Sequence, residues 1–130
     1  MTERLNNGKA TLRLVLPSDG DLHEPTLDFL QACGLAVLRP SARRYTAHIP
    51  ALTGVEVLFQ RTADITQKVE EGSAELGITG LDRYLEYRSD ESRVVSLIDG
   101  LGYGRCDLVL AVPDSWLDIA SVDDLADLAL

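Results

Sequence analysis

The sequence predicts an α/β fold in which a largely parallel β-sheet is flanked by helices. Along the chain, short apolar runs typical of strands alternate with segments whose apolar residues recur at helical spacing. The strand-like runs are mostly continuous rather than strictly alternating, which is typical of strands buried on both faces. A length of 130 residues suits one domain with its own core.

The first predicted strand and helix follow a polar stretch, residues 1–10, which we expect to be a flexible lead-in. Residues 12–16 predict the strand. Residues 24–33 predict the helix, because Pro25 suits a first helical turn and Gly34 suits the position just past the last one.

Two less regular segments precede the second long apolar run. Residues 35–38 indicate a possible edge strand, since they form a short apolar run before Arg39. Residues 41–54 contain basic, aromatic, proline and glycine residues, and this composition leaves a hairpin and a long loop both open.

The rest of the chain continues the alternation of strands and helices. The predicted strands are residues 55–59, 75–79, 94–98 and 106–112. Asp64 is expected to cap a helix that Gly72 ends, with Gln67 completing a capping box. Residues 80–88 predict the next helix, and Ser121 with Asp124 predicts the start of a last one.

The composition excludes several classes of function. A formal net charge of -9 leaves no basic stripe for nucleic acid or for an anionic membrane. No apolar run approaches the roughly 20 residues that cross a bilayer, and the first residues lack the apolar core of a signal peptide. Two distant cysteines and two distant histidines form no disulfide framework or metal motif. We therefore expect a cytoplasmic protein without a protein-held metal.

Three strand-to-helix junctions carry the candidate site residues. Thr79, Gly80 and Asp82 follow one strand and open a helix, where free backbone amides and the helix dipole favour an anion. A tight turn that only needs small residues explains the same string equally well. The second junction carries Arg61, a candidate phosphate ligand, and Asp64, for which helix capping is a sufficient reason.

The third junction contains Ser18, Asp19, Gly20 and Asp21, whose carboxylates suit either a divalent ion or a helix N-terminus. The glycines of residues 100–104 precede a predicted strand and open no helix, so a dinucleotide-binding loop is not indicated there. No nucleophile elbow or phosphate-binding Walker loop is present in the sequence.

These strings, in this order, resemble the N-terminal part of ATP phosphoribosyltransferase, the first enzyme of histidine biosynthesis. The resemblance covers about residues 12–130. Its specific parts are Leu-Pro-Ser-x-Gly-x-Leu-x-Glu-Pro-Thr-Leu at 16–27, the stretch 61–65, Leu-Gly-Ile-Thr-Gly-Leu-Asp at 76–82 and Leu-Gly-Tyr-Gly-Arg-Cys at 101–106.

The resemblance implies a periplasmic-binding-protein-like (type II) lobe with a mostly parallel sheet flanked by helices. Residues 11–105 then correspond to the first lobe, and residues 106–130 to a crossing strand and the beginning of an incomplete second lobe. The implied reaction transfers the phosphoribosyl group of phosphoribosyl pyrophosphate to N1 of ATP and releases pyrophosphate, with Mg²⁺ bound together with the substrates.

The resemblance also implies a homo-oligomer, and one form of the family adds a regulatory subunit that resembles histidyl-tRNA synthetase. It assigns no catalytic residue here. The residues expected to bind substrate are Gly20, Arg61, Asp64, Thr79, Gly80 and Asp82.

Two departures from the family pattern favour an alternative. Members of the family usually carry Lys-Gly-Arg in the first loop, where this chain has Asp19-Gly20-Asp21. The family's Gly/Thr-rich loop for the ribose phosphate also has no match within residues 1–130. We therefore expect the 130-residue chain alone to be inactive, and a non-catalytic nucleotide- or small-molecule-binding module on the same lobe remains the alternative.

Overall fold

In a computed structural model, the chain forms a four-stranded sheet with helices on both faces. The structure describes residues 12–41, 43–91, 93–105, 111, 113–115, 120–121 and 123–124. The expected lead-in at 1–10, the expected strand at 106–112 apart from residue 111, and the body of the last helix lie outside the described residues. The strands are β1 (Leu12–Pro17), β2 (Thr46–His48), β3 (Val55–Gln60) and β4 (Leu76–Gly77), and the helices are α1 (His23–Ala32), α2 (Ile65–Glu70) and α3 (Leu81–Tyr87).

The strand order in the sheet is β2-β3-β1-β4. β1 runs parallel to β3, with Leu12 opposite Val55 and Pro17 opposite Gln60, and it also runs parallel to β4. β2 pairs antiparallel with β3 at the edge. The predicted α/β class is confirmed, and the sheet is mixed because the segment before β3 folds back on it as a hairpin.

Residues of β1 alternate between two apolar cores, one on each face of the sheet. Leu14 and Leu16 pack with α1 residue Leu30 and with Phe59 of β3. Val15 points to the other face and packs with Ile65 of α2. Because both faces are covered, β1 is apolar nearly throughout, as a central parallel strand requires.

Gly34 and Gly72 end α1 and α2 as the sequence predicts. Both adopt a positive φ, +80° and +84°, which a residue with a Cβ rarely adopts. After α1, the amide of Leu35 donates to the carbonyl of Leu30 at 2.8 Å and that of Gly34 to Gln31 at 3.0 Å. This pair of bonds satisfies carbonyls that the last helical turn leaves open.

Three predicted strands are shorter than expected or absent. Of residues 35–38, only Leu38 pairs, through an isolated bridge to His48. The strand expected at 75–79 is reduced to β4, and residues 94–98 form no strand in the structure. Residues 94–98 have the apolar composition of a strand. A strand also needs backbone hydrogen bonds to a neighbouring strand, and residues 94–98 are not part of the four-stranded sheet.

Candidate functional site at the carboxyl edge of the sheet

The three junctions singled out in the sequence lie at one edge of the sheet. β1, β3 and β4 are mutually parallel, so the segments that follow them emerge on the same side. Two contacts link these segments directly. The amide of Ser18 donates to the carbonyl of Gln60 at 2.8 Å, and the hydroxyl of Thr79 donates to the carbonyl of Thr62 at 3.1 Å.

The first junction is an acidic loop built around Gly20. Gly20 has a φ of +73° and begins a 3₁₀ turn, Gly20–Leu22, that leads into α1. Asp19 and Asp21 on either side are exposed. Nδ1 of His23 donates to the carbonyl of Pro17 at 2.8 Å and anchors the start of α1 to the end of β1. A Cβ on Gly20 would meet no atom within 4 Å, so this loop has open space in front of it.

The second junction brings Arg61 and Asp64 together. Nε of Arg61 donates to Oδ2 of Asp64 at 3.1 Å, while 74% of the arginine side chain stays exposed. Both groups therefore lie at the edge. The arginine is mostly open to solvent, and its Nε engages the carboxylate.

Asp64 is the N-terminal cap residue of α2, as expected, but its side chain does not cap the helix. It makes no capping hydrogen bond, and the capping box expected with Gln67 does not form. The reason is a 3₁₀ turn, Thr62–Asp64, that continues directly into α2. Asp64 itself has helical dihedral angles, φ -99° and ψ -8°, whereas a capping side chain requires an extended backbone at its own residue.

The third junction holds Thr79, Gly80 and Asp82 in a tight turn. Gly80 is the N-terminal cap residue of α3, with extended backbone angles, and its carbonyl accepts the amide of Tyr84 at 3.0 Å. A Cβ on Gly80 would come too close to Oδ1 of Asp82, the end of a flexible side chain that can move aside. The packing of the turn therefore does not by itself require glycine at position 80.

Five of the six expected site residues line one cleft. These are Gly20, Arg61, Thr79, Gly80 and Asp82, and residues 93–105 form the facing wall. Asp64 is the exception, because it is not among the residues that line the cleft and its carboxylate accepts Nε of Arg61. The structure thus brings together residues that are up to 62 positions apart in the chain (82 minus 20).

An arginine-bearing segment at the same edge was missed in the sequence. β2 runs antiparallel to β3, so its first residue, Thr46, lies opposite Leu58 near the carboxyl edge, and the segment that precedes it lies at that edge too. Arg39 lies over the ring of Phe59, 4.4 Å from Cζ to the ring centroid, and its Nε donates to the carbonyl of Arg44 at 2.7 Å. The available signal was the lack of any Asp or Glu across residues 29–55 of a strongly acidic chain.

Comparison with known proteins shows what the chain is similar to. Residues 61–129, more than half of the chain, match the family model described as ATP phosphoribosyltransferase. A protein of Chelativorans sp. (strain BNC1) named ATP phosphoribosyltransferase is 38% identical over 120 residues, 92% of this chain and 52% of its own length. Proteins of the same name from Rhodopseudomonas palustris (strain HaA2) and Mesorhizobium japonicum are 40% and 37% identical, with 35% and 51% of their own lengths covered.

The chain therefore spans between about a third and a half of the length of these relatives. In the part of the chain that the structure describes, no helix is long and apolar enough to cross a membrane. The match over residues 61–129 includes the second and third junctions of the carboxyl edge, and the relatives' similarity extends over about nine-tenths of the chain. On these grounds, the chain belongs to the ATP phosphoribosyltransferase family.

Proposed function

We propose that this chain is the substrate-binding first lobe of an ATP phosphoribosyltransferase of the periplasmic-binding-protein-like (type II) fold. The complete enzyme would join N1 of ATP to C1 of the ribose of phosphoribosyl pyrophosphate, and pyrophosphate would leave. The observation that carries the proposal is the convergence of Gly20, Arg61 and Thr79–Asp82 on one cleft at the carboxyl edge. Ligands of open α/β sheets bind at this edge.

The chemistry of the reaction suits residues that bind and orient rather than attack. Adenine N1 is itself the nucleophile, so no nucleophilic side chain is required. As the bond from C1 to pyrophosphate breaks, negative charge grows on the leaving group. Arg61 and backbone amides at the junctions are among the stabilising groups that the described part of this lobe offers. Holding the two substrates in contact is the remaining task.

The acidic first loop sets a limit on how phosphate binds. Asp19 and Asp21 are exposed and line the cleft, so a phosphate close to either carboxylate would be repelled by its negative charge. We therefore propose that the phosphates bind mainly on the side of Arg61 and Gly80, and that a phosphate beside the first loop needs a cation to offset the two carboxylates. The contact at Gly20 would then come from its backbone.

Mg²⁺ is proposed to enter with the phosphates of the substrates. Among the described residues, no group of three or more His, Cys, Asp or Glu side chains lies close enough to hold an ion. Those residues alone do not fit a protein-held Mg²⁺ site, and no step of the reaction is assigned to the ion here.

The same loop favours a second candidate, a binding module without catalysis. Two carboxylates beside the cleft weaken binding of a pyrophosphate leaving group more than binding of a neutral or singly charged ligand. The two candidates differ in one property. An enzyme lobe must bind ATP or phosphoribosyl pyrophosphate, whereas a module of this kind would select a ligand without a polyphosphate.

Calorimetric titration tests the proposal. MgATP and magnesium phosphoribosyl pyrophosphate are titrated into the chain and into Thr79→Tyr, whose ring would fill the cleft beside Gly80. Thr53→Tyr is the matched control, because Thr53 is exposed and precedes β3 at the opposite edge. We expect Thr79→Tyr to weaken binding at least about tenfold, equivalent to about 1.4 kcal/mol.

The control is expected to bind like the parent, and circular dichroism would verify that both variants fold. Equal affinity of Thr79→Tyr and Thr53→Tyr for both substrates would remove the carboxyl edge as the site. Binding of neither substrate to the parent chain would favour the module.

Assembly and location complete the proposal. We propose that the enzyme is a cytoplasmic homo-oligomer, with or without a regulatory subunit that resembles histidyl-tRNA synthetase. Light scattering on the protein, alone and mixed with such a subunit, would show which species forms. A monomer in both samples would refute this part.

A further inference from the structure

The turn at residues 102–104 is attached to the first turns of α1. The hydroxyl groups of Tyr103 and Thr26 are hydrogen-bonded at 2.9 Å, and the ring of Tyr103 lies 5.3 Å from the ring of Phe29 between centroids. Thr26 is only 1% exposed, so water does not compete freely for this hydrogen bond. The turn and the helix are therefore held in one arrangement.

Glycine on both sides of Tyr103 makes the close approach possible. Gly102 and Gly104 have φ values of +89° and +74°. A Cβ on Gly104 would lie 2.5 Å from Cδ2 of Leu22, a distance too short for two carbon atoms. Leu22 ends the 3₁₀ turn that Gly20 begins, so the turn at 102–104 lies directly against the first junction.

Arg105 follows this turn and carries a positive charge. It is exposed and lines the same cleft as Asp19, Gly20 and Asp21. With the residues that the structure describes, its guanidinium makes no hydrogen bond or ion pair, whereas Arg61 donates to Asp64. A guanidinium without a partner among the described residues can receive a ligand without first breaking a bond to one of them.

We propose that Arg105 binds a phosphate group of the ligand beside the first junction, and that Tyr103 is the positioning residue that holds Arg105 there through Thr26. The proposal rests on the proposed function and names a further ligand contact for it. Arginine suits this role because its planar guanidinium donates two parallel hydrogen bonds to phosphate oxygens. Its charge also offsets part of the repulsion from Asp19 and Asp21.

Titration with inorganic pyrophosphate at low salt tests the role of Arg105. Arg105→Gln should weaken pyrophosphate binding about tenfold, since one charge-assisted contact is lost. Arg88→Gln is the matched control, because it removes the same charge from an exposed residue that does not line the cleft. We expect the control to bind within about twofold of the parent, and the loss in Arg105→Gln to shrink at high salt.

A double-mutant cycle tests the positioning role of Tyr103. Tyr103→Phe keeps the ring and removes the hydroxyl, and we expect it to weaken pyrophosphate binding about threefold in the parent. In the Arg105→Gln background the same change should have no effect, because Tyr103 acts through Arg105. Equal losses in both backgrounds would indicate a general structural effect and would overturn the positioning role.

The outcomes separate this inference from the proposed function. If Arg105→Gln binds pyrophosphate like Arg88→Gln while Thr79→Tyr still weakens ATP binding, the role of Arg105 is refuted and the proposed function stands. If the parent chain binds neither pyrophosphate nor ATP, the proposed function fails and this inference fails with it.

Discussion

Gly77 is where the packing of the sheet leaves least room, and replacing it by alanine is a direct test of how α2 is seated. A Cβ at this position would lie 2.8 Å from Cγ2 of Ile65, 2.9 Å from Cγ1 of Val15 and 3.3 Å from Cγ2 of Val69. The backbone of Gly77 has no positive φ, so alanine would bring no backbone strain. Any destabilisation would therefore come from steric overlap of the new methyl group with its neighbours.

The expected loss of stability in Gly77→Ala follows from two opposing effects. Overpacking a core costs about 1–3 kcal/mol. Replacing glycine by alanine at an ordinary φ stabilises the folded state by about 0.4–1 kcal/mol, because it lowers the conformational entropy of the unfolded chain. We therefore expect Gly77→Ala to lower the free energy of unfolding by about 1–2 kcal/mol and the thermal midpoint by roughly 5 °C.

Urea and thermal unfolding followed by circular dichroism measure this loss. Gly100→Ala is the control, because a Cβ there meets no atom within 4 Å and its φ is not positive. Ile65→Leu removes Cγ2 at nearly constant volume, so the double variant Gly77→Ala/Ile65→Leu should recover part of the stability. Equal stability of Gly77→Ala and Gly100→Ala would mean that α2 does not pack on β1 and β4 as described.

Three further predictions concern charge, pH and activity. Asp19→Lys combined with Asp21→Arg should tighten phosphate binding, most clearly at low salt, and weaker calorimetric binding would instead indicate that the two carboxylates help to hold a metal. Burial raises the pKa of Tyr103 despite the opposing hydrogen bond from Thr26. The contribution of Tyr103 to stability is therefore complete below the ordinary pKa of tyrosine and is lost as pH rises through the raised pKa. An ultraviolet difference titration against Tyr103→Phe should show a phenol with a pKa above that of free tyrosine, and an ordinary or lower pKa would contradict the packing on α1. The chain alone should form no N1-(5-phosphoribosyl)-ATP in a steady-state assay with Mg²⁺, because positioning of both substrates accounts for about 7–11 kcal/mol of such a barrier and the relatives are about 1.8 to 2.5 times as long as this chain; clear turnover would refute this.

Features determined by neighbouring residues were predictable from the sequence. Gly34 and Gly72 end their helices because a positive φ is a local requirement that glycine meets best. The strands at residues 12–16 and 55–59 were predictable because each has a single charged residue among four apolar ones, which is typical of a strand buried on both faces.

Features that depend on distant residues were not predictable. Residues 94–98 have the composition of a strand, yet a strand needs a paired neighbour, which composition does not report. The cap position at Asp64 was predicted correctly, but the capping hydrogen bond was not. The helical backbone angles of Asp64, at the end of a 3₁₀ turn that runs into the helix, prevent that bond and are not visible in the sequence.

The candidate site shows the same division. Each strand-to-helix junction was visible as a local string, and the topology then brought the three together. The hydrogen bond between Thr79 and Thr62 and the contact of Tyr103 with Thr26 cross 17 and 77 positions, and no spacing rule predicts either. The position of the arginines near β2 was not predictable, because the sequence left a hairpin and a long loop both open for residues 41–54. These two structures would place the arginines differently relative to the edge of the sheet.

Amide chemical-shift mapping by NMR with MgATP tests most directly whether the carboxyl edge binds the nucleotide. We predict that the amides of Gly20, Gly80 and Asp82 shift on titration, since these residues line the cleft. Gly54, which precedes β3, and Gly34, which follows α1, do not line the cleft and should not shift. Shifts confined to Gly34 and Gly54, with none at Gly20, Gly80 and Asp82, would contradict the proposed site.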